Sequence, residues 1–415
     1  MLARGRDGNA RRVGMSTVEE QYEAFPYPAR DPADEAHRLI VGSPSHPLEI
    51  DHFLFAGCRD WSQPLRVLVA GGGTGDGLIQ IAQMLRDARR PSDITYVDLS
   101  RAARRIAEAR AAARGLGGIR FVTGSLLDAA DLGRFDYIDC CGVLHHLPDP
   151  VAGLRALHAA LAPGGGMGFM VYAPYGRSGV YPLQAAFGAL FQGLSPQDRL
   201  RAARPLVAAL PQGHPFRVNP NLGDHHDSDA GFYDLLLHSQ DRAFTVTELL
   251  DTLASGGWTL TGFAMPGLYD LAHITDPPAH LDPAQRMAVA EQLRGTLKTH
   301  VGYAAPADEA GAGRVASPRN RALIPHVKGT DPRRLAKAVA AGQRPKLGFA
   351  GITVTPDIPR AAAPLIAAVD GRRSLAQIAA ATGHDALSMG ALWTRIDSEL
   401  GPWGLLLYSD LLKDG

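Results

Sequence analysis

The chain has 415 residues, 46% hydrophobic and 20% charged, and its 42 Lys and Arg balance 42 Asp and Glu. This is the composition of a folded globular protein, and a net charge of zero creates no field that favours nucleic acid or an anionic membrane. The three cysteines include an adjacent pair and form no disulfide framework, and no run of about 18 apolar residues predicts a membrane span, so we expect a cytoplasmic protein with neither a membrane nor a nucleic-acid partner.

The N-terminal region divides into a tail and a proline-rich segment. Residues 1–14 are rich in Arg and Gly and lack the apolar stretch of a secretory signal, which predicts a disordered tail or an upstream start with Met15 as the initiator. A helix is expected at 17–23, and three prolines between 26 and 32 impose an extended path. We predict that residues 15–60 form a lid or cap segment, with Tyr27 facing a substrate, and a plain linker is the alternative.

A glycine-rich turn follows the first predicted strand. The apolar run at 67–70 predicts a buried strand, Gly71, Gly73 and Gly75 come next, and apolar residues at helical spacing follow from 78 to 85. Strand, glycine turn and helix are the first unit of a doubly wound α/β sheet, which binds ligands at the carboxyl ends of its strands. The glycines leave bare backbone for a ligand to approach. Their spacing differs from the dinucleotide fingerprint, whose last glycine would fall at Asp76.

Four more strands are predicted in the same region. Residues 94–98 end in Asp98, whose carboxylate can accept both hydroxyls of a ribose. Residues 119–123 are followed by a turn that contains Ser125 and Leu126, and residues 135–141 run into a segment that ends in Asp149 and Pro150. An acid followed by proline predicts a helix that starts at that point. Residues 167–172 are the fifth predicted strand.

Together, the alternate glycines, the acid at position 98 and the segment FDYIDCCGVLHHLPDP at 135–150 resemble the class I S-adenosylmethionine (SAM)-dependent methyltransferases. The resemblance implies an α/β fold with a doubly wound, Rossmann-like sheet over residues 61–275, and transfer of the sulfonium methyl group of SAM. In many members an acid at the position of Val69 orients the amino group of the methionine moiety of SAM. Here Asp76 is the candidate to replace that acid. The residues implied in cofactor binding are Gly71, Gly73, Gly75, Asp98, Ser125, Leu126, Cys141, Gly142 and His146.

An insertion at 176–243 predicts a helical cap over the substrate. Tyr175 and Arg177 join Tyr27 as candidate substrate-binding residues. The candidate catalytic groups are Tyr181 and His238, the latter as a general base. Each of these residues also fits an ordinary polar loop or helix surface. No metal is expected to be bound.

The C-terminal third departs from a minimal methyltransferase. Residues 276–345 predict a helix and a linker, and residues 346–415 a small winged-helix-like module. Its helix at 388–400 lacks the basic face of a DNA reader, so we expect a protein contact. The predicted function is methyl transfer to an unidentified protein or natural-product-like acceptor. A non-catalytic SAM-binding adaptor and a nicotinamide-dependent oxidoreductase are the alternatives.

Overall fold

A central sheet forms the middle of the fold in the computed structural model, which describes residues 13–309 and 313–413. The predicted tail at 1–14 lies almost wholly outside these residues. The strands are Leu65–Ala70 (β1), Ser92–Asp98 (β2), Ile119–Thr123 (β3), Phe135–Cys141 (β4), Leu161–Tyr172 (β5), Trp258–Phe263 (β6), Thr299–Pro306 (β7), Pro325–Val327 (β8), Leu347–Phe349 (β9), Ile352–Val354 (β10) and Leu406–Tyr408 (β11).

Seven of these strands make the central sheet, in the order β3-β2-β1-β4-β5-β7-β6. Strands β1 to β5 are parallel to one another, and β7 runs antiparallel between β5 and β6. The strand order reverses between β1 and β4, so a crevice opens at the carboxyl ends of these two strands. The predicted doubly wound sheet is confirmed.

The helices cover both faces of this sheet and build the cap and the C-terminal unit. They are Val13–Ala24 (α1), Pro47–Leu54 (α2), Asp76–Asp87 (α3), Arg101–Ala113 (α4), Pro150–Ala159 (α5), Val180–Leu190 (α6), Pro196–Ala208 (α7), Pro215–Val218 (α8), Asp224–Asp227 (α9), Asp229–Leu236 (α10), Val246–Ser255 (α11), Pro283–Arg294 (α12), Pro332–Ala340 (α13), Ala363–Ala367 (α14), Leu375–Thr382 (α15) and Ala386–Leu400 (α16). Short 3-10 turns lie between several of them.

Strand β1 shows how the sequence builds two cores. Successive side chains of a strand point to opposite faces of the sheet. Val67 and Val69 pack into one apolar cluster with α2 and α3, while Leu68 and Ala70 pack into the other with α5 and α11. All four are buried, which explains why β1 reads as a continuous apolar run.

Local signals set the helix starts around the sheet. The Ser100 side chain accepts the Ala103 N–H at the start of α4, and the Asp149 side chain accepts the Ala152 N–H at the start of α5. Pro150 occupies the first turn of α5, where its missing N–H costs nothing. The helix start predicted at Asp149 is therefore present, and Ser100 caps a second helix in the same way.

The sheet extends beyond the predicted core boundary at residue 275. Strand β7 lies in the region predicted as helix and linker, yet it pairs with β5 along six residues, from Met167 with Ala304 to Tyr172 with Thr299. The Ala-rich sequence at its end resembles a flexible linker by composition. In the structure Tyr303, Ala304 and Ala305 are fully buried, because both faces of β7 are covered: Tyr303 packs into one apolar cluster and Ala304 into the other.

The C-terminal unit also starts earlier than residue 346. Its apolar cluster runs from Ala316 to Tyr408 and includes side chains of α13. Strand β8 pairs with β11, joining residues 325–327 to 406–408. The unit is attached to the core through α2, where Asp51 Oδ2 accepts the Ser409 hydroxyl at 2.6 Å and His52 Nδ1 accepts the Tyr408 N–H at 3.1 Å.

No helix within residues 13–309 or 313–413 combines the length and the apolar character needed to cross a bilayer.

Candidate active site

A cavity of about 560 Å³ opens at the carboxyl ends of β1, β2 and β4. The glycine turn forms one wall, where Gly71 and Gly73 have φ angles of +71° and +52°. Gly75 lies outside the cavity lining. Gly75 directly precedes α3 and has a φ of +99°, and a Cβ on Gly75 would lie 3.0 Å from Ala107 Cβ. Gly75 therefore allows α3 to pack on α4, and its absence from the cavity lining argues against its predicted contact with the cofactor.

Asp98 lies at the end of β2 and faces this cavity. Its Oδ2 accepts the Gly73 N–H and its Oδ1 accepts the Ser100 N–H, both at 2.8 Å. Burial raises the pKa of Asp98, and the two backbone N–H groups oppose that rise. A carboxylate has about four lone-pair positions, so these two bonds leave acceptor capacity for two ribose hydroxyls.

An apolar wall follows Asp98 along the cavity. Leu99, Leu126 and Leu127 line it together with Ser125. The Ser125 hydroxyl accepts the Leu127 N–H at 3.1 Å, so it caps the short turn that positions this wall. The predicted residues Ser125 and Leu126 both lie where a flat aromatic ring would be enclosed.

The proline-rich segment lies over the glycine turn. The Pro28 carbonyl accepts the Thr74 hydroxyl at 2.7 Å, and Arg30 binds both oxygens of Asp76, with Nη2 to Oδ2 at 2.6 Å. Tyr27 lines the cavity. These contacts hold the segment against the glycine turn, and its role as a lid stays a prediction.

A buried arginine of the core connects this segment to the glycine turn, and the sequence analysis did not identify this arginine. Arg110 of α4 is 1% exposed and donates to Glu35 Oε1 at 2.6 Å, to Asp76 Oδ1 at 2.7 Å and to the Thr74 carbonyl at 2.8 Å. Burial raises the pKa of Asp76, but Arg30 and Arg110 together outweigh burial and hold that pKa below its usual value. Asp76 is therefore already paired with two cations, which argues against it as the substitute acid.

The fourth strand supplies the far end of the cavity. Cys141, Gly142 and His146 all line it, as predicted from the HHLPDP segment. Gly142 has a φ of +80°, a conformation that glycine adopts without strain. Asp139, two residues before Cys141 on the same strand, also lines the cavity and was not predicted as a site residue.

A buried polar cluster joins α1, β5 and the cap at this end. Tyr22 donates to Asp234 Oδ1 at 3.1 Å, and Tyr172 donates to Asp234 Oδ2 at 3.0 Å. The Tyr22 hydroxyl also lies 3.1 Å from His238 Nε2. Tyr22, Tyr172 and Asp234 line the cavity, whereas His238 is behind them and stacks on His146 with ring centroids 3.9 Å apart.

Hydrogen bonds identify which nitrogen of each histidine carries a proton. The Gln240 N–H donates to His238 Nδ1 at 3.0 Å, and burial lowers the pKa of His238 well below its usual value. Neutral His238 therefore carries its proton on Nε2 and donates to Tyr22, so the prediction of His238 as the general base is wrong in this geometry. His146 carries a proton on Nδ1, because this nitrogen lies 3.0 Å from the Gln240 carbonyl, which only accepts. Its Nε2 lone pair is free of that bond.

The remaining predicted residues are arranged around Arg177. Arg177 lines the cavity, its guanidinium lies 3.6 Å from the Tyr172 ring centroid, and it binds Asp241 Oδ2 at 3.1 Å. Tyr181 is outside the cavity lining and accepts from Arg177 Nε at 3.0 Å, so it positions the arginine and is not a catalytic group. Tyr175 is also outside the lining, in the 3-10 turn that carries Arg177.

Within the described residues, two groups of side chains have atoms close enough together to hold a metal ion, His145–His146–Asp241 and His146–Asp234–His238. In the first, Arg177 is bound to Asp241 and would repel a cation. In the second, the Asp234 oxygens and His238 Nε2 already bond to tyrosine hydroxyls. The absence of a metal stays a prediction.

Comparison with known proteins identifies the domain. The family model for a methyltransferase domain matches residues 68–167. A ubiquinone biosynthesis O-methyltransferase of Alkalilimnicola ehrlichii is 31% identical over 121 residues, which are 29% of this chain and 46% of that protein. Residues 68–167 form a class I SAM-dependent methyltransferase domain. The recognition, the enzyme class and the cofactor SAM predicted from the motifs are confirmed for this domain.

Two further similarities extend beyond the methyltransferase domain. An uncharacterized protein of Synechococcus sp. is 32% identical over 259 residues, 60% of this chain and 59% of that protein. The chain thus spans less than two thirds of the length of these curated relatives. Among solved structures, PKMT2 from Rickettsia typhi superposes with a TM-score of 0.61 at 14% identity, covering 89% of this chain and 77% of that one. At this identity the likeness concerns the fold.

Proposed function

We propose that the chain is an enzyme that transfers the methyl group of SAM to an acceptor bound at the His146 end of the cavity. The observation that supports this most strongly is the order of groups along one cavity. A buried ribose acceptor, Asp98, is followed by bare glycine backbone and then by polar side chains of the cap. A domain that binds SAM without transferring its methyl group would not need these polar side chains of the cap.

The cavity lining fits SAM. Asp98 would hold the ribose, Leu126 and Leu127 would enclose the adenine, and the backbone at Gly71 and Gly73 would lie along the remaining part. When bound, SAM supplies a methyl group on a positively charged sulfur with a good leaving group. The protein then contributes alignment and exclusion of water.

Residues of the lid and cap would perform this alignment. Tyr22 and Tyr172 hold Asp234 in place through its two oxygens, and this unit forms the wall that an acceptor would contact. His146 Nε2 would accept the proton from an acceptor that arrives as an O–H or N–H group, because its Nδ1 proton is held by the Gln240 carbonyl. We therefore replace His238 with His146 as the proposed base.

For the acceptor, we propose a protein or a natural-product-like molecule larger than a simple metabolite. Support comes from the cap, whose helices α6, α7, α8 and α10 form an apolar cluster of their own beside the cavity. Cap helix α10 and the segment after it supply Asp234 and Gln240 to the cavity lining. We also propose a cytoplasmic location, which is supported by the three free cysteines.

Binding and turnover are tested separately. Titration calorimetry should show binding of SAM and of S-adenosylhomocysteine, and loss of both in Asp98→Ala. Binding of NAD in place of SAM would instead support the oxidoreductase. With methyl-labelled SAM and cell extract, the label should reach an acceptor, and His146→Asn should lower transfer by about 100-fold while SAM affinity changes little. SAM binding without any label transfer would support the non-catalytic adaptor.

The C-terminal unit is proposed to contact a protein partner or protein acceptor. Leu387 at the start of α16 is 85% exposed, and Arg395, further along the same helix, is already paired with Asp357 and Glu399. Leu387→Asp should reduce label transfer to macromolecules in extract without changing SAM affinity. Unchanged transfer would remove this surface from the proposal.

A further inference from the structure

Strand β1 lacks the acid that many class I methyltransferases carry near the amino group of SAM. The corresponding residue, Val69, lines the cavity with an apolar side chain. Its register partner on the adjacent parallel strand β4 is Asp139. Residues paired in register on parallel strands project to the same face of the sheet, so the Asp139 carboxylate reaches the same part of the cavity from one strand further along.

Asp139 is a buried carboxylate without a cation. It is 2% exposed, and its polar partners are the Ser45 hydroxyl and the Cys141 backbone N–H. Within residues 13–309 and 313–413 it forms no ion pair. Burial raises the pKa of Asp139 to about 6, against the two hydrogen bonds that lower it. A buried anion in this state is stabilised by any ligand that brings a positive charge to it.

The other carboxylates near the glycine turn are already neutralised or occupied. Asp76 is paired with Arg30 and Arg110. Asp98 lies at the opposite, ribose end and accepts two backbone N–H groups. These assignments leave Asp139 as the carboxylate that can take a new cation in this part of the cavity.

We propose that Asp139 binds the ammonium group of the methionine moiety of SAM, replacing from β4 the acid that β1 lacks at Val69. The inference rests on the proposed function, because it assumes that SAM occupies the cavity. Gly77 supports it sterically, since a Cβ at that position would lie 2.6 Å from Ser45 Oγ and 3.2 Å from Asp139 Oδ2. Glycine there keeps the space around the carboxylate open.

The test compares ligands with and without the ammonium group. SAM and S-adenosylhomocysteine both carry it, the second with an uncharged sulfur, whereas 5′-methylthioadenosine has the same nucleoside and an uncharged sulfur but no amino-acid moiety. A similar loss of affinity for SAM and S-adenosylhomocysteine assigns the effect to the ammonium group and not to the sulfonium charge. In titration calorimetry, Asp139→Asn should weaken SAM about tenfold or more, because a charge-assisted bond in a buried site is lost, and should change methylthioadenosine affinity less than about threefold. Asp136→Asn is the matched control, since Asp136 lies on the same strand but pairs with Arg66 at the protein surface.

A second variant moves the carboxylate back to β1. Val69→Asp combined with Asp139→Asn should regain part of the lost SAM affinity, because the acid then projects from the register partner. Equal SAM affinity in Asp139→Asn and the wild type, or an equal loss for SAM and methylthioadenosine, overturns the inference while leaving the proposed function intact. Failure of the wild type to bind any of these ligands overturns the proposed function and this inference with it.

Discussion

Replacing Arg110 by Met should destabilise the protein more than any exposed charge change. The Arg110 and Glu35 side chains are 1% and 3% exposed, and Arg110 also binds Asp76 and the Thr74 carbonyl. Removing one partner of a buried pair leaves an uncompensated charge and costs about 3–5 kcal/mol. Arg114 still contacts Glu35 in the variant, so we expect a value near the lower end, about 3 kcal/mol.

A double-mutant cycle separates this ion pair from lost packing. Arg110→Met, Glu35→Gln and the double variant are compared by urea denaturation, and we expect a coupling of about 2 kcal/mol. The matched control is Arg104→Met on the same helix. Arg104 pairs with Glu108 at side-chain exposures of 32% and 37%, and such surface pairs contribute below about 0.5 kcal/mol.

The same variant should loosen the lid. Because Arg110 joins the Glu35 turn to the glycine turn, Arg110→Met should also weaken SAM binding, while Arg104→Met should not. An Arg110→Met variant as stable as Arg104→Met, or a coupling near zero, would refute the reasoning that the buried cation fastens the lid.

Three further changes have defined outcomes. The pKa of Asp139 in the folded state is raised to about 6, so ionisation of Asp139 destabilises the ligand-free protein as the pH rises from about 4 to 6. The stability of Asp139→Asn relative to wild type should therefore increase by about 2 kcal/mol between pH 4.5 and 7.5 in urea titrations. Gly73→Ala should weaken SAM by about tenfold or more in calorimetry, because its φ is +52° and a Cβ would stand 2.9 Å from a lid carbonyl. Tyr22→Phe should cost about 1–3 kcal/mol of unfolding free energy, since it leaves an oxygen of buried Asp234 without its donor.

Each of these has its own check. A pH-independent difference between Asp139→Asn and wild type would mean that the carboxylate ionises normally in the fold. Gly117→Ala, at a glycine with no atom near its Cβ position, controls for the loss of a glycine as such, and an equal effect of the two substitutions would contradict the steric argument. For Tyr22, a change in unfolding free energy below about 0.5 kcal/mol would show that water replaces the hydroxyl.

The sequence predicted the parts of the site that follow one another along the chain. Strand, glycine turn and helix are contiguous, and so are the fourth strand and its HHLPDP segment, and Asp98 ends the strand between them. Gly71, Asp98 and His146 could therefore be placed in one cavity from the sequence. Gly75 shows the limit of this reasoning. Three alternate glycines look equivalent in sequence, but only the fold distinguishes a glycine that faces a ligand from one that admits a neighbouring helix.

Residues joined across long separations could not be predicted in this way. Arg110 reads as one of several arginines on a helix, and its partner Glu35 is 75 positions away. Strand β7 was hidden by its Ala-rich composition, because burial on both faces removes the alternation that marks an ordinary strand. The register between strands could not be predicted either, since no local pattern reveals that Val69 and Asp139 are neighbours.

The distribution of charge in the cavity follows from this division. The contiguous motifs supply backbone and a ribose acceptor, which any member of the fold needs, and the long-range pairs decide which carboxylates remain free. Arg30 and Arg110 neutralise Asp76, two tyrosines occupy Asp234, and no cation in the described part of the chain pairs with Asp139. Asp76, which is prominent in the glycine-rich sequence, thereby serves to hold the lid. Asp139, which no motif marks, becomes the anion available to a cationic ligand. Which acid is available to a ligand is therefore decided by arginine and tyrosine partners that lie far away in the sequence.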